Sequence, residues 1–300
     1  MLSVVGTVPD EDFPLISGEV HLEENRIRVR ETTIAVNRGT SALIAAVLKA
    51  GEVLGLPLPL AYLVGDIGLG HGSRRLYDHL VSHVGRSQAR VIAFHYLQPD
   101  VDWHNKVLIA LQKVCPQPLL IADAGFMYAA KMSGQSQAYE LFTPDAGELA
   151  FLADEVAPHP FYTRGFILHD ENRMPDLIKR AYEHKNAARY LLVKGREDCI
   201  ASKEGIHATI DSPMEEALEA MGGTGDTLTG IVSALITSGM ATLEAAVLAA
   251  KINRLAGHYA KPKPASQVME IITHIPRAME EVLEKRTEKT CTKTQPMKNQ

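Results

Sequence analysis

Apolar residues recur along this chain in two alternating rhythms. Short, nearly unbroken apolar runs at residues 33–36, 60–64, 91–94, 119–122 and 190–193 have strand length, and their lack of polar alternation marks strands covered on both faces. Between them the spacing changes to that of helices. Leu43, Val47 and Val53 line one face of residues 41–54, Leu76, Leu80 and Val84 follow at i, i+4 and i+8 in residues 73–84, and residues 107–114 continue the theme. Strand, helix and strand at this spacing predict βαβ units, hence an α/β fold: a predominantly parallel central sheet flanked by helices on both faces, in three αβα layers.

The last third turns helical. Leu228, Ile231, Val232 and Leu235 form one stripe and Leu248, Ile252, Leu255 and Tyr259 another, with Gly239 as the stop between them. Residues 266–284 read as a closing surface helix and residues 200–210, with Lys203-Glu204-Gly205 at the middle, as a hairpin at the sheet edge. The Pro-, His- and aromatic-rich residues 155–175 show no period and read as a lid or packed surface loop. No period of 20 to 50 residues repeats. The expectation is one domain over residues 1–284 and a disordered basic tail over 285–300, where Lys285, Arg286, Lys289, Lys293 and Lys298 meet almost no apolar residue.

Charge and composition narrow the function. The 300 residues carry 31 Lys and Arg against 36 Asp and Glu, a net charge of -5, which is the wrong sign for a partner made of nucleic acid. No apolar run reaches the ~18 residues of a membrane span, and Asp10, Glu11, Asp12 and Glu19 stand where a secretory signal would need its apolar core. With Cys115, Cys199 and Cys291 unpaired in spacing, the chain reads as a cytoplasmic protein without a membrane partner. Twelve histidines do not add up to a metal site, since His79 and His83, four apart, lack a third ligand at suitable spacing.

The densest chemical signal is Gly222-Gly223-Thr224-Gly225-Asp226-Thr227-Leu228-Thr229-Gly230, placed directly before an amphipathic helix. Glycines permit backbone approach that a Cβ forbids, and the first helical amides, at Gly225, Asp226 and Thr227, lack an intrahelical acceptor, so an anion is expected there. A carboxylate at that spot needs another duty. Asp226 is a helix cap or, the preferred reading, a general base on a substrate hydroxyl. Glu148 opens a second helix and either caps it or organises a metal or phosphate. Lys194 and Gly195 close a strand at the sheet's carboxyl edge, where ligands bind; the lysine contacts phosphate or snorkels to solvent. Asp123 ends another strand and binds substrate or caps the next turn.

Gly-Gly-Thr-Gly-Asp-x-Leu-Thr-Gly resembles the anion-hole and catalytic-Asp motif of the ribokinase-like superfamily, and specifically its branch of ADP/ATP-dependent NAD(P)H-hydrate dehydratases, often labelled carbohydrate kinases. Other segments agree in order. Leu120-Ile121-Ala122-Asp123-Ala124 is similar to the family's strand ending in Asp-Ala, Thr143-Pro144-Asp145-Ala146-Gly147-Glu148 to its Thr-Pro-His-Pro-Gly-Glu, and Val193-Lys194-Gly195 to its Leu-Lys-Gly. Gly65-Asp66-Ile67-Gly68-Leu69-Gly70 resembles its Gly-Pro-Gly-Leu-Gly turn more loosely. There are two departures. Asp145 replaces the family's His, and Pro213-Met214-Glu215-Glu216 and Glu219-Ala220-Met221 replace its usual Gly-Asn and Met-Ala. Asp145 with Glu148 is also similar to the looser Asn-x-x-Glu pattern of the sugar-kinase branch, which implies a part in organising Mg²⁺ and its waters.

The resemblance implies a ribokinase-like fold and a nucleotide-dependent phosphoryl-transfer enzyme using ATP or ADP with Mg²⁺. Asp226 would be its base and Gly222, Gly223, Thr224 and Gly225, with Lys194, its phosphate site. Asp66, Gly68, Gly70 and Asp123 would face a small hydroxylated substrate such as hydrated NADH or NADPH, and Gly195 and Asn253 the nucleotide. The alternatives are an ATP-dependent sugar or small-metabolite kinase and a non-catalytic nucleotide sensor. The edge hairpin offers a surface for a homo-oligomer.

Overall fold

The computed structural model describes residues 1–157, 159, 174–263 and 265–293. Its strands are β1 (Leu2–Val8), β2 (Ile16–Glu23), β3 (Arg26–Val29), β4 (Thr32–Ala35), β5 (Leu60–Gly65), β6 (Val91–His95), β7 (Leu119–Ala122), β8 (Leu141–Phe142), β9 (Tyr190–Val193), β10 (Asp198–Ser202) and β11 (Gly205–Ile210). They join in one sheet of order β11-β10-β9-β8-β7-β6-β1-β5-β2-β3-β4. The six strands from β9 to β5 run parallel, and the antiparallel strands are confined to the two flanks. The fold is thus the expected α/β arrangement with a predominantly parallel central sheet, and β10 and β11 form the expected edge hairpin.

The helices are α1 (Thr40–Leu54), α2 (His71–His83), α3 (Val101–Leu111), α4 (Ala124–Met132), α5 (Ala146–Ala153), α6 (Met174–Glu183), α7 (Thr224–Thr237), α8 (Thr242–Ala260), α9 (Val268–Ile272) and α10 (Ile275–Lys293). Helices α1 and α7 to α10 bury their stripes against one face of the sheet, through residues such as Leu43, Ile231 and Ile252. Helices α2 to α6 cover the other, through Leu76, Phe126, Leu149 and Ile178. Two cores of this kind, one on each face, are the reason the central strands carry no polar alternation.

Three differences from the sequence reading have physical causes. Strand β1, the fully buried centre of the sheet, was not expected, because Ser3, Gly6 and Thr7 interrupt its apolar run. Residues 33–36, expected as a parallel strand, form instead the outer strand of the antiparallel ribbon β2-β3-β4. The closing helix is broken into α9 and α10, and the second piece continues to Lys293, past the boundary expected at Glu284. Lys285 bonds to Glu281 and Arg286 to Glu244, which gives the early tail partners that composition does not show. Residues 294–300, and all but the edges of the 155–175 segment, lie outside the described residues. Among the described residues no helix is long and apolar enough to cross a membrane.

Candidate active site

Parallel strands deliver their last residues to one edge, and that edge gathers the candidate residues. His95 ends β6, Asp123 follows β7, Thr143, Pro144 and Asp145 follow β8, and Lys194 follows β9. The N-terminus of α7 closes over them and brings in Asp226. His95, Asp123, Asp145, Lys194 and Asp226 line a cavity of about 510 Å³, together with Tyr96, Gly195, Arg196, Met214, Glu215, Asn253 and Arg254.

The glycine loop has the shape that an anion site requires. Gly223 caps α7 at φ 101°, a left-handed conformation costly for a residue with a Cβ. The first amide to find a partner is that of Thr227, on the carbonyl of Gly223. The amides before it, at Thr224, Gly225 and Asp226, are therefore the open donors at the positive end of the helix. This moves the expected donor set one residue toward the N-terminus, because α7 begins at Thr224. Gly223, Thr224 and Gly225 line the cavity, whereas Gly222 packs on Arg38: a Cβ there would lie 3.3 Å from its Cδ.

Asp226 is 8% exposed, at the inner wall of that cavity. Its Oδ1 is 3.0 Å from His95 Nε2, and its Oδ2 accepts the Gly39 amide at 2.6 Å. Burial would push its carboxyl up, yet it is held below the ordinary carboxylate range by the hydrogen bond and charge of His95, with Lys194 and the Gly39 N–H adding to the pull. An ionised acceptor at Oδ1 assigns the hydrogen to the nitrogen that faces it: His95 Nε2 carries it. The other ring nitrogen, Nδ1, meets Thr40 Oγ1 at 3.0 Å.

Lys194 reaches the site but turns its charge on Asp123, at 2.8 and 2.9 Å from the two carboxylate oxygens. Its ammonium is raised above the usual lysine range, burial being outweighed by Asp123, Glu148 and Asp226. Asp123 also accepts from the Thr229 hydroxyl at 2.6 Å and from the Ala124 amide at 2.9 Å, so it caps α4 as well as anchoring the lysine. Lys194 remains close to the phosphate loop, since a Cβ on Gly225 would meet its Cδ at 3.2 Å and its Nζ at 3.5 Å.

Asp145 and Glu148 form a capping box at the start of α5: Asp145 Oδ1 accepts the Glu148 amide and Glu148 Oε2 the Asp145 amide, both at 2.8 Å. Glu148 Oε1 also accepts from the Tyr128 hydroxyl at 3.1 Å. Burial pushes the Glu148 carboxyl up to about 7 against the pull of Lys194. Capping and a cavity position coexist here, and each carboxylate oxygen keeps a lone pair for a hydrated cation. His95, Asp123 and Asp226 bring donor atoms within 4.8 Å of one another, a spacing that could suit a metal. Lys194, Thr229, the Gly39 amide and His95 itself already engage those oxygens, so hydrogen bonds balance this cluster.

The nucleotide-side candidates serve the walls. Asn253 accepts from the Thr227 hydroxyl at 2.7 Å and donates to the Thr224 carbonyl at 3.1 Å, fastening α8 to the glycine loop. The Gly195 amide donates to Asp198, and Arg254 binds Asp198 at 2.7 Å and the carbonyls of Gly195 and Arg196 at 3.0 and 2.9 Å. Asp66, Gly68 and Gly70 are not brought to this cavity. The Asp66 carboxylate is consumed within its own turn, by the amides of Gly68, Gly70 and Ser73 and the Ser73 hydroxyl. His95 and Thr40 are site residues that the sequence reading gave no catalytic role. The available signal was a histidine closing an apolar strand at the ligand-binding edge. Tyr96 and Ala124 hold left-handed backbone, at φ 56° and 48°, beside the site, as strained residues at functional centres do.

The sequence profile of the NAD(P)H-hydrate dehydratase family matches residues 97–277. The turn at residues 65–70 falls before that span. An uncharacterized protein of Methanocaldococcus jannaschii is 43% identical over 242 residues, which cover 80% of this chain and 100% of that protein. The ADP-dependent (S)-NAD(P)H-hydrate dehydratase of Cenarchaeum symbiosum is 32% identical over 139 residues, 46% of this chain and 43% of that enzyme. Among solved structures, the ADP/ATP-dependent NAD(P)H-hydrate dehydratase of Bacillus subtilis, co-crystallised with ATP and Mg²⁺, superposes with a TM-score of 0.56 at 13% identity, over 94% of this chain and 89% of that one. At that identity the likeness speaks for the fold.

Proposed function

The chain belongs to the NAD(P)H-hydrate dehydratase family, and from that premise we propose that it is a nucleotide-dependent enzyme that restores NADH or NADPH from the hydrated form. The observation that carries the reading is the placement of a buried, ionised Asp226 beside the open amides of Thr224, Gly225 and Asp226 itself, at one wall of a 510 Å³ cavity. A base and an anion cradle at one point are what phosphoryl transfer to a hydroxyl needs.

Asp226 takes the proton of the substrate hydroxyl as its oxygen bonds to the terminal phosphorus, and the bond from that phosphorus to the bridging oxygen of the nucleotide breaks. Amides of the α7 N-terminus hold the transferred group's oxygens, with Lys194 behind them. The phosphorylated hydrate then loses phosphate with cleavage of its C–O bond, and loss of a neighbouring proton restores the double bond. Proton abstraction of this kind contributes about 10² to 10⁴ in rate.

Charge supports the need for a cation. Asp123, Asp145, Glu148, Asp198, Glu215, Glu219 and Asp226 face the cavity against Lys194, Arg196 and Arg254. A polyphosphate entering so acidic a space requires countercharge, and Asp145 with Glu148 would hold Mg²⁺ and its waters. The ion would neutralise phosphate charge. Membership in the family favours this reaction over a sugar or small-metabolite kinase, and Asp226 as an ionised cavity residue favours it over a silent sensor. Unpaired Cys115 and Cys199 suit the reducing cytoplasm. The exposed edge strand β11 suits a second copy of the chain.

The test is turnover of hydrated NADH, followed by the return of reduced-nicotinamide absorbance, with ATP and ADP in separate arms and Mg²⁺ present. Asp226→Asn should bind nucleotide but lose at least about 100-fold in kcat. Nucleotide binding without turnover in either arm would leave the sensor; transfer of phosphate to sugars alone would leave the kinase.

A further inference from the structure

His95 lies two residues before the span matched by the family profile, so the match itself gives it no role. It is nonetheless the most enclosed titratable group at the site, at 0% exposure. Its ring is fixed on three sides. Nε2 faces Asp226 Oδ1 at 3.0 Å, Nδ1 faces Thr40 Oγ1 at 3.0 Å, and the Tyr96 ring stands edge-on at 4.3 Å between centroids. Space for this arrangement comes from Gly6 in the central strand, where a Cβ would lie 2.6 Å from Thr40 Oγ1 and 2.8 Å from the His95 carbonyl. A histidine packed this closely behind a carboxylate has one free variable, the direction in which it holds that carboxylate.

We propose that His95 is a positioning residue for phosphoryl transfer: with its ring set by Thr40, it donates Nε2–H to Asp226 Oδ1 and, with the Gly39 amide on Oδ2, aims the remaining lone pairs of the carboxylate into the cavity. The proposal rests on the reading of Asp226 as the base. Two donors on the inner side of a carboxylate fix both its torsions, which is the function of the third group in a base–orienter arrangement. The other groups facing Asp226 cannot replace His95. Lys194 is bound to Asp123 through both oxygens, Asp123 is itself an acceptor 3.9 Å from His95 Nε2, and the Tyr96 hydroxyl is pushed up to about 12 by burial and by the nearby Asp226 and Asp123 carboxylates. Loss of His95 would leave Asp226 buried beside Asp123 with Gly39 as its near donor.

The experiment compares His95→Leu, His95→Gln, Thr40→Val and Asp226→Asn in the hydrated-NADH assay, with nucleotide affinity by calorimetry and the acid limb of kcat/KM recorded for each. His95→Leu should lower kcat about 10- to 100-fold, leave the KM for hydrated NADH and the nucleotide Kd close to wild type, and move the acid limb to higher pH. His95→Gln, whose side-chain amide can reach the same oxygen, should recover most of the kcat and return the acid limb toward wild type. Thr40→Val should shift both in the direction of His95→Leu by a smaller amount, and it carries the test if His95→Leu does not fold. Unchanged kcat and acid limb in His95→Leu or, where that variant does not fold, in Thr40→Val, or equal losses in the Leu and Gln variants, would overturn the proposal while leaving Asp226 as base. Full turnover by Asp226→Asn would instead remove the base reading on which it stands.

Discussion

Lys194 Nζ sits 2.8 Å from one oxygen of Asp123 and 2.9 Å from the other, with 15% and 2% of the two side chains exposed. The pair bridges the ends of β7 and β9 behind the phosphate loop. Its charges were withdrawn from water together, so the carboxylate is tolerated only while the ammonium is present. Lys194→Met should therefore destabilise the protein by about 3–5 kcal/mol, and the double variant Lys194→Met, Asp123→Asn should recover much of that loss, because no uncompensated charge remains buried. Denaturant unfolding of wild type, both single variants and the double variant measures the coupling. Additive losses would show that the two side chains do not act as a pair.

Gly6 occupies the point where the central strand passes beneath Thr40. A Cβ there would lie 2.6 Å from both Cγ2 and Oγ1 of Thr40, and neither the β-branched side chain nor the His95 carbonyl at 2.8 Å can give way cheaply. Gly6→Ala should cost at least about 1–3 kcal/mol by overpacking, seen as a lower denaturation midpoint. Because the displaced atoms set the His95 ring, turnover should fall by more than the folded fraction does. A variant with wild-type stability and activity would contradict this placement.

How legible the site was depends on what kind of signal each residue leaves. Asp226 and the loop from Gly223 to Gly225 were readable as a candidate site because glycines, a threonine and a carboxylate before an amphipathic stripe are a local pattern, complete within nine residues, although Gly222 in that pattern packs on Arg38 instead. Asp145 and Glu148 were half readable: spacing gives the capping box, but their sharing of a cavity with Lys194 depends on strand order. His95 and Thr40 leave no local pattern. They meet across 55 positions of sequence, and Asp226 joins them from 131 positions beyond His95. Strand β1 escaped for a related reason, since Gly6 and Thr7, which blur its apolar run, are there to admit Thr40 and to bond the Tyr96 carbonyl at 2.8 Å. Asp66 misled in the opposite direction. Its glycine-flanked turn looks like a ligand loop, yet the carboxylate spends its lone pairs on the turn itself.

His104 predicts how stability responds to acid. The ring is fully buried, with Nε2 2.8 Å from the Tyr139 hydroxyl and Nδ1 3.0 Å from Ser133 Oγ, and burial lowers it from the ordinary 6.5 to about 4. The unfolded chain therefore binds a proton between pH 6.5 and 4 that the folded protein refuses. Stability supplied by the uncharged ring is complete above pH 6.5 and is lost as pH falls, to an extent of about 3 kcal/mol near pH 4. His104→Gln, which keeps hydrogen-bonding capacity and cannot titrate, should flatten the decline of Tm over this interval relative to wild type. Parallel Tm profiles for the two proteins would assign the acid sensitivity to other groups.

Arg254 tests the division between the wall that would hold the nucleotide and the wall that carries the base. Its guanidinium spans Asp198 at 2.7 Å and the carbonyls of Gly195 and Arg196 at 3.0 and 2.9 Å, so a single planar fork closes the turn that follows Lys194. Lysine has the charge but not the fork, and it cannot reach all three acceptors at once. Arg254→Lys should leave Asp198 poorly compensated, and burial already raises that carboxyl even with the arginine in place. Asp198→Asn, by contrast, removes the charge that needs compensation and should be the milder change. In the hydrated-NADH assay Arg254→Lys should raise the KM for nucleotide several-fold while kcat, set at Asp226 and His95, which Arg254 does not bond, changes little. A loss confined to kcat would mean that the turn at Gly195 reaches the reacting atoms rather than the nucleotide.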